Sequence, residues 1–165
     1  MAKRASTPKR PRAIQVRYSG CDVVAMIVLS IGHEIDPETA NLSFDLSCRF
    51  VWDAGDDRID VEIQFDVMRD SEESTTEKDT LVGIVAHHRF FVGNKKSFKK
   101  NKDGSLRLPM PLRTMLISVS VGATRGMLIS RLDGTMYRDL VLPLVPLRDL
   151  MAQETGEEEV PNSAI

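Results

Sequence analysis

Residues 42–50 read LSFDLSCRF and residues 59–67 read IDVEIQFDV. In the first, Leu42, Phe44, Leu46, Cys48 and Phe50 alternate with Ser43, Asp45, Ser47 and Arg49. In the second, Ile59, Val61, Ile63, Phe65 and Val67 alternate with Asp60, Glu62, Gln64 and Asp66. Successive side chains of a strand point to opposite faces, so this period of two predicts strands with one apolar and one wet face. The turn-forming DAGDDR between them, 53–58, joins the two as an antiparallel hairpin.

Working outward, LVGIVAHHRFFV (81–92) predicts a further long strand, reached through the acidic RDSEESTTEKD (69–79). On the other side, VVAMIVLSI (23–31) is rich in β-branched residues and predicts a fourth. No helix-period segment separates these runs, so they are expected to pair in order as a meander. After the lysine-rich GNKKSFKKNKDG (93–104) the period changes. Leu112, Met115, Leu116, Val119 and Ala123 recur at helical spacing, and Pro111 suits a first helical turn, which predicts a helix ending at Gly126. PLRDLMAQ (146–153) predicts a shorter second helix with Leu147, Leu150 and Met151 on one side. The result is an α+β chain: a four-stranded antiparallel meander sheet, a long C-terminal helix, an extended crossover loop and a short second helix.

The 165 residues suffice for one domain with a real core, and 42% hydrophobic and 28% charged residues describe a globular protein. The net charge of −2 conceals segregation. Residues 1–17 carry six basic residues and no acid, which predicts a disordered basic arm; 18–152 form the domain; 153–165 form an acidic flexible tail. Between 53 and 79 there are eleven acids against Arg58, Arg69 and Lys78, while 95–107 hold six basic residues against Asp103. Such runs read as solvated loops, or as an arm and a KKSFKK loop that bind nucleic acid. Two cysteines, Cys21 and Cys48, without CxxC spacing, fit a reducing cytoplasm, and the nine-residue apolar run at 23–31 is too short to cross a membrane as a helix.

Chemical signatures are scarce. There is no GxxxxGK[ST] or GxGxxG loop for a nucleotide cofactor, no GxSxG elbow, and no HExxH metal motif, because Pro37 stands four residues after His33. His87 and His88 are adjacent and on a strand point to opposite faces, so they cannot share a metal; one is expected to be packed and the other in water. A thiol nucleophile would need Cys21 or Cys48 beside a histidine. No catalytic residue, metal ligand or cofactor follows, and the chain reads as a non-enzyme. Asp60, Glu62 and Asp66 share the polar face of one strand, as a simple solvated face or as a docking surface for a basic partner.

From Gly122 to Met151 the chain is strongly apolar yet interrupted by Gly122, Gly126, Gly134, Pro143 and Pro146. Such a segment either covers the core or leaves a partly open apolar surface, and flexible methionine and aliphatic groups suit varied apolar ligands. Met127, Leu128, Leu132, Met136, Tyr137, Val141 and Leu142 are the candidate peptide-binding residues.

SVGATRGML, a short connection, and then VLPLVPLRDLM resemble the C-terminal half of SecB-type export chaperones and their divergent SecB-like relatives. The resemblance covers about residues 20–152 and is carried by Ser120–Gly126 and Val141–Met151; the basic arm, the longer stretch between Gly126 and Val141 and the few aromatics there depart from the best-known members. It implies a cytoplasmic, ATP-independent holdase that binds non-native polypeptide clients in an apolar groove between crossover and sheet. It further implies a homotetramer built as a dimer of dimers. The partner would be the SecA translocase motor, docking at Asp60, Glu62 and Asp66, or a dedicated toxin–antitoxin pair.

Overall fold

The computed structural model describes residues 14–29, 42–52, 57–70, 78–93, 98–100, 106–140 and 142–144. Four strands, β1 (Val16–Val28), β2 (Leu42–Trp52), β3 (Arg58–Asp70) and β4 (Lys78–Val92), form one antiparallel sheet. A two-residue ribbon of β5 (Lys99–Lys100) and β6 (Leu106–Arg107) precedes the helix α1 (Met110–Leu132).

The hairpin forms as its alternation requires. Phe44, Leu46, Cys48 and Phe50 stand opposite Val67, Phe65, Ile63 and Val61, and the same β3 residues stand opposite Val82, Ile84, Ala86 and His88 of β4. Apolar rows therefore run across one face, and Ile59, Val61, Ile63 and Val67 lose all contact with solvent.

The sheet order is β1-β4-β3-β2, which corrects the expected meander. β2, β3 and β4 do follow one another, but β1 pairs with β4 rather than with β2. β4 is largely buried along its length, from Leu81 to Val92, so it is an interior strand and needs a neighbour on both edges. β1 supplies the second neighbour, giving the Greek-key order. β1 also starts at Val16, taking two residues from the expected arm, and it shifts register between Tyr18 and Gly20 and between Val23 and Ala25. Those irregularities break its period of two, which hid its inward face (Val16, Tyr18, Cys21, Val23, Met26, Val28) from a reading by alternation.

The helix is longer than expected and turned differently. It runs through Gly122 and Gly126 to Leu132. Each glycine weakens a helix by about 1 kcal/mol relative to alanine, but the two turns beyond them bury Leu128 and Leu132 against the sheet, which outweighs that deficit. The stop is Gly134, whose φ of +81° is a conformation that side chains disfavour. α1 lies across β3 and β4. Its buried face is Leu112, Leu116, Ile117, Ser120, Thr124, Leu128 and Leu132, whereas Met115 (39% exposed) and Val119 (41%) of the expected stripe face outward. By length and composition α1 could cross a membrane, yet here this inner face is packed on the sheet. The expected second helix, at 146–153, lies outside the described residues, as do most of the arm, the tail and most of the lysine loop.

Candidate functional site

α1 packs chiefly on the two central strands, and at the inward face of β2 the chain that follows the helix comes in beside it. After the helix, Thr135 Oγ1 donates to Leu132 O (2.7 Å) and accepts from the Tyr137 amide (3.1 Å), folding the chain back. The buried Tyr137 hydroxyl donates to Leu29 O at 2.7 Å and anchors this turn to the end of β1. The segment 142–144 then returns along the helix. Arg125 fixes it: Nη2 donates to Leu142 O at 2.9 Å and Nη1 to Pro143 O at 2.8 Å. Leu142 is buried, while Leu144 is 87% exposed.

Between this segment, α1 and the sheet lies a narrow cleft with free space of about 10 Å³, room for about one water molecule, partly open to solvent and lined by Leu46, Ile63, Phe65, Val121, Thr124, Arg125 and Pro143. Its walls are apolar save for one hydroxyl and one guanidinium. As it stands the cleft is too narrow to take a side chain, and the Arg125 guanidinium is engaged by the Leu142 and Pro143 carbonyls.

Of the candidate peptide-binding residues, Met127, Leu128 and Leu132 lie in α1 rather than in a crossover; Leu128 and Leu132 are committed to the core, and Met127 is half-buried. Met136 and Tyr137 pack against the core from the turn, and Leu142 does so from the returning segment. Val141 lies outside the described residues. Leu46, Ile63, Phe65, Val121, Arg125 and Pro143 were missed as site residues. The first three carried only a strand signal, and Arg125 reaches main-chain carbonyls 17 and 18 residues on, which no side-chain pattern announces.

The polar face of the sheet carries Asp60, Glu62 and Asp66, each in company. Arg58 and Arg89 flank Asp60. Arg49 grips Glu62 with two hydrogen bonds (Nε to Oε1 3.0 Å, Nη2 to Oε2 2.9 Å), and His87 Nε2 donates to Oε2 at 2.6 Å. The Arg49 hydrogen bonds, aided by His87, hold the Glu62 carboxyl below its usual range against the opposing effect of burial. Asp66 accepts from Gln64 Nε2 at 2.7 Å and stands opposite Asp45. A side chain at Gly83 would meet Asp66 Oδ1 at 2.6 Å, so this position must stay bare to leave the carboxylate in place. The face is thus a mesh of opposite charges with one like-charged pair, Asp45–Asp66, rather than an acidic stripe.

The two histidines part company as adjacent strand residues must: His87 lies on the polar face and His88 is fully buried beneath the helix. With His88 Nδ1 accepting from the Tyr18 hydroxyl (3.2 Å), Nε2 donates to Thr124 Oγ1 at 2.7 Å. Cys21 Sγ is 3.7 Å from the same Nε2, a pairing that the irregular register of β1 concealed. Burial pushes the Cys21 thiol pKa up, with Asp22 adding to it, and lowers that of His88 from 6.5 to about 4. At neutral pH both are uncharged, which is the reverse of an activated thiolate–imidazolium pair. Among the described residues, no group of three or more His, Cys, Asp or Glu could hold a metal ion.

No protein-family model matches the chain, and no curated protein matches it. Among solved structures, the SecB-like chaperone of Mycobacterium tuberculosis, in complex with a ChAD peptide from the HigA1 antitoxin, is similar with a TM-score of 0.43 and 12% sequence identity, over 79% of this chain and 91% of that one.

Proposed function

We propose that this protein is an ATP-independent holdase that binds non-native polypeptides through their apolar side chains. The observation that carries the reading is the apolar cleft at the β2 side of the sheet, walled by Leu46, Ile63, Phe65 and Val121 and roofed by an irregular segment. The half-exposed Phe44 and Phe50 extend the apolar strip along β2, with Phe44 packed beside Phe65 at 6.3 Å between ring centroids. Burial of a client side chain supplies about 25 cal/mol per Å², most of which is offset by ordering the client. Single contacts are therefore weak, and several clefts acting on one long chain are needed for tight binding.

That requirement favours an oligomer. The outer face of α1 shows Met115, Val119, Gly122, Gly126 and Ile129 with Ser118 and Ser130 among them and no charged group, whereas a helix exposed to water normally carries charged residues there. β1 adds an edge strand with Val24, Ile27, Val28 and Leu29 exposed. A second copy of the chain covers one or both, in line with the tetramer that the sequence resemblance implies. Hand-over to an export motor or to a dedicated toxin–antitoxin client belongs to the same reading. A basic partner on the polar face would have to exchange the Arg49 and Arg58 contacts of Glu62 and Asp60, so the Asp45–Asp66 pair is its easiest point of attachment.

The test is aggregation of a reduced, unfolded client followed by light scattering without nucleotide. Suppression that grows with protein concentration is expected. Aggregation at an unchanged rate under molar excess of the protein would end the reading.

A further inference from the structure

The returning segment is held in an unusual way. Among the described residues, 142–144 make no backbone–backbone hydrogen bond, and Pro143 has no amide proton with which to join β2 as a fifth strand. What fixes the segment is the planar fork of Arg125 on two successive carbonyls, together with the buried Leu142 side chain. Arg125 thereby engages only main-chain carbonyls, which every unfolded polypeptide offers. Pro143 meanwhile lies on the cleft that Leu46, Ile63 and Phe65 line.

We propose that Leu142–Pro143 is a strap that closes the cleft in cis and occupies, for the folded chain alone, the place of an extended apolar client segment. A client displaces it by offering Arg125 an equivalent pair of carbonyls and the cleft an equivalent apolar side chain. The exchange is close to neutral in hydrogen bonds, so it needs no nucleotide. It also covers part of the cleft between clients. The inference rests on the holdase reading and adds to it how the site is gated. Because the strap competes for the site, the measured affinity for a client is the intrinsic affinity reduced by the fraction of molecules that are open.

The strap can be loosened from two sides without touching the cleft or Arg125. Leu142→Ala weakens its buried anchor, and Tyr137→Phe removes the hydrogen bond to Leu29 O that fixes its approach. The probe is a fluorescent synthetic peptide with the sequence of residues 138–146, RDLVLPLVP, titrated by anisotropy against the full chain. Leu142→Ala should bind it at least tenfold more tightly than the unaltered protein, and Tyr137→Phe severalfold more tightly. Folded variants, checked by circular dichroism, that bind the peptide no better than the unaltered chain would overturn the strap. If Leu142→Ala does not fold, Tyr137→Phe decides alone. The client-aggregation assay on the unaltered chain separates the two claims: protection without tighter peptide binding by the variants removes the strap and leaves the holdase. Tighter peptide binding without protection does the reverse.

Discussion

Both faces of α1 carry apolar side chains, but they live in different surroundings. The inner face buries Leu112, Leu116, Ile117, Leu128 and Leu132 but also takes in Ser120 and Thr124; the outer face leaves Met115, Val119 and Ile129 in water. His88 explains why a polar residue is taken in, since a fully buried imidazole on β4 needs partners, and Thr124 supplies one at 2.7 Å. An unmet polar group in a core costs about 1–3 kcal/mol, comparable to the burial of an aliphatic side chain. Ser120 Oγ, also buried and without a hydrogen-bond partner among the described residues, is the residual cost of that orientation. Aliphatic burial thus sets the inner face, one polar contact is built into it, and the second apolar stripe stays exposed.

Truncation should separate the faces most strongly. Leu128→Ala is expected to lower stability by about 3 kcal/mol, at any protein concentration, because Leu128 is fully buried within one chain. Ile129→Ala, at a side chain 55% exposed, should cost little in the dilute protein and progressively more as concentration rises. Urea denaturation at two concentrations a hundredfold apart checks both. Equal losses for the two variants would erase the distinction between the faces.

Acid should attack the inner face. Burial holds the His88 pKa at about 4 rather than 6.5. Above pH 6.5 the ring is neutral in folded and unfolded chains alike, so it adds no pH dependence there. As the pH falls, the unfolded chain takes up the proton first, and stability drops between 6.5 and about 4 before levelling. The shift corresponds to about 3 kcal/mol. Glu62, whose pKa is lowered, contributes stability above its ordinary value of 4.5 that is lost at more acid pH, so its window lies below most of that of His88. Denaturation midpoints from pH 7.5 to 4.5 should fall for the unaltered chain and stay nearly flat for His88→Gln; a flat profile for both would remove His88 from this role.

The smallest effect belongs to the outer face. Nothing lies within 4 Å of a side chain built at Gly122, so Gly122→Ala should raise the stability of the dilute chain, by up to about 1 kcal/mol. Gly122→Leu should weaken self-association as measured by sedimentation, because it would hold a second copy away. Unchanged association in the leucine variant would place the contact elsewhere, with the β1 edge as the next candidate.

Much of this architecture was legible in advance. β2 and β3 were readable because each has one wet face, so alternation survived along the hairpin. β4 was readable as a strand but not as an interior one, and β1 was placed beside β2 by the rule that sequential strands pair, whereas it pairs with the buried β4. The helix was visible at its start, where Pro111 stands, and misjudged at its end: Gly126 has the composition of a stop, whereas Gly134 has the backbone conformation of one. The cleft was half visible. Its apolar roof showed in the glycine- and proline-broken sequence, but the contact that positions that roof joins Arg125 to carbonyl groups that every residue possesses.

The most direct test of the holdase reading is the mass in solution by multi-angle light scattering, with and without a reduced, unfolded client. The account predicts an oligomer, a tetramer by the family resemblance, that takes the client into a soluble complex of correspondingly higher mass. A monomer whose mass is unchanged by the client would contradict it.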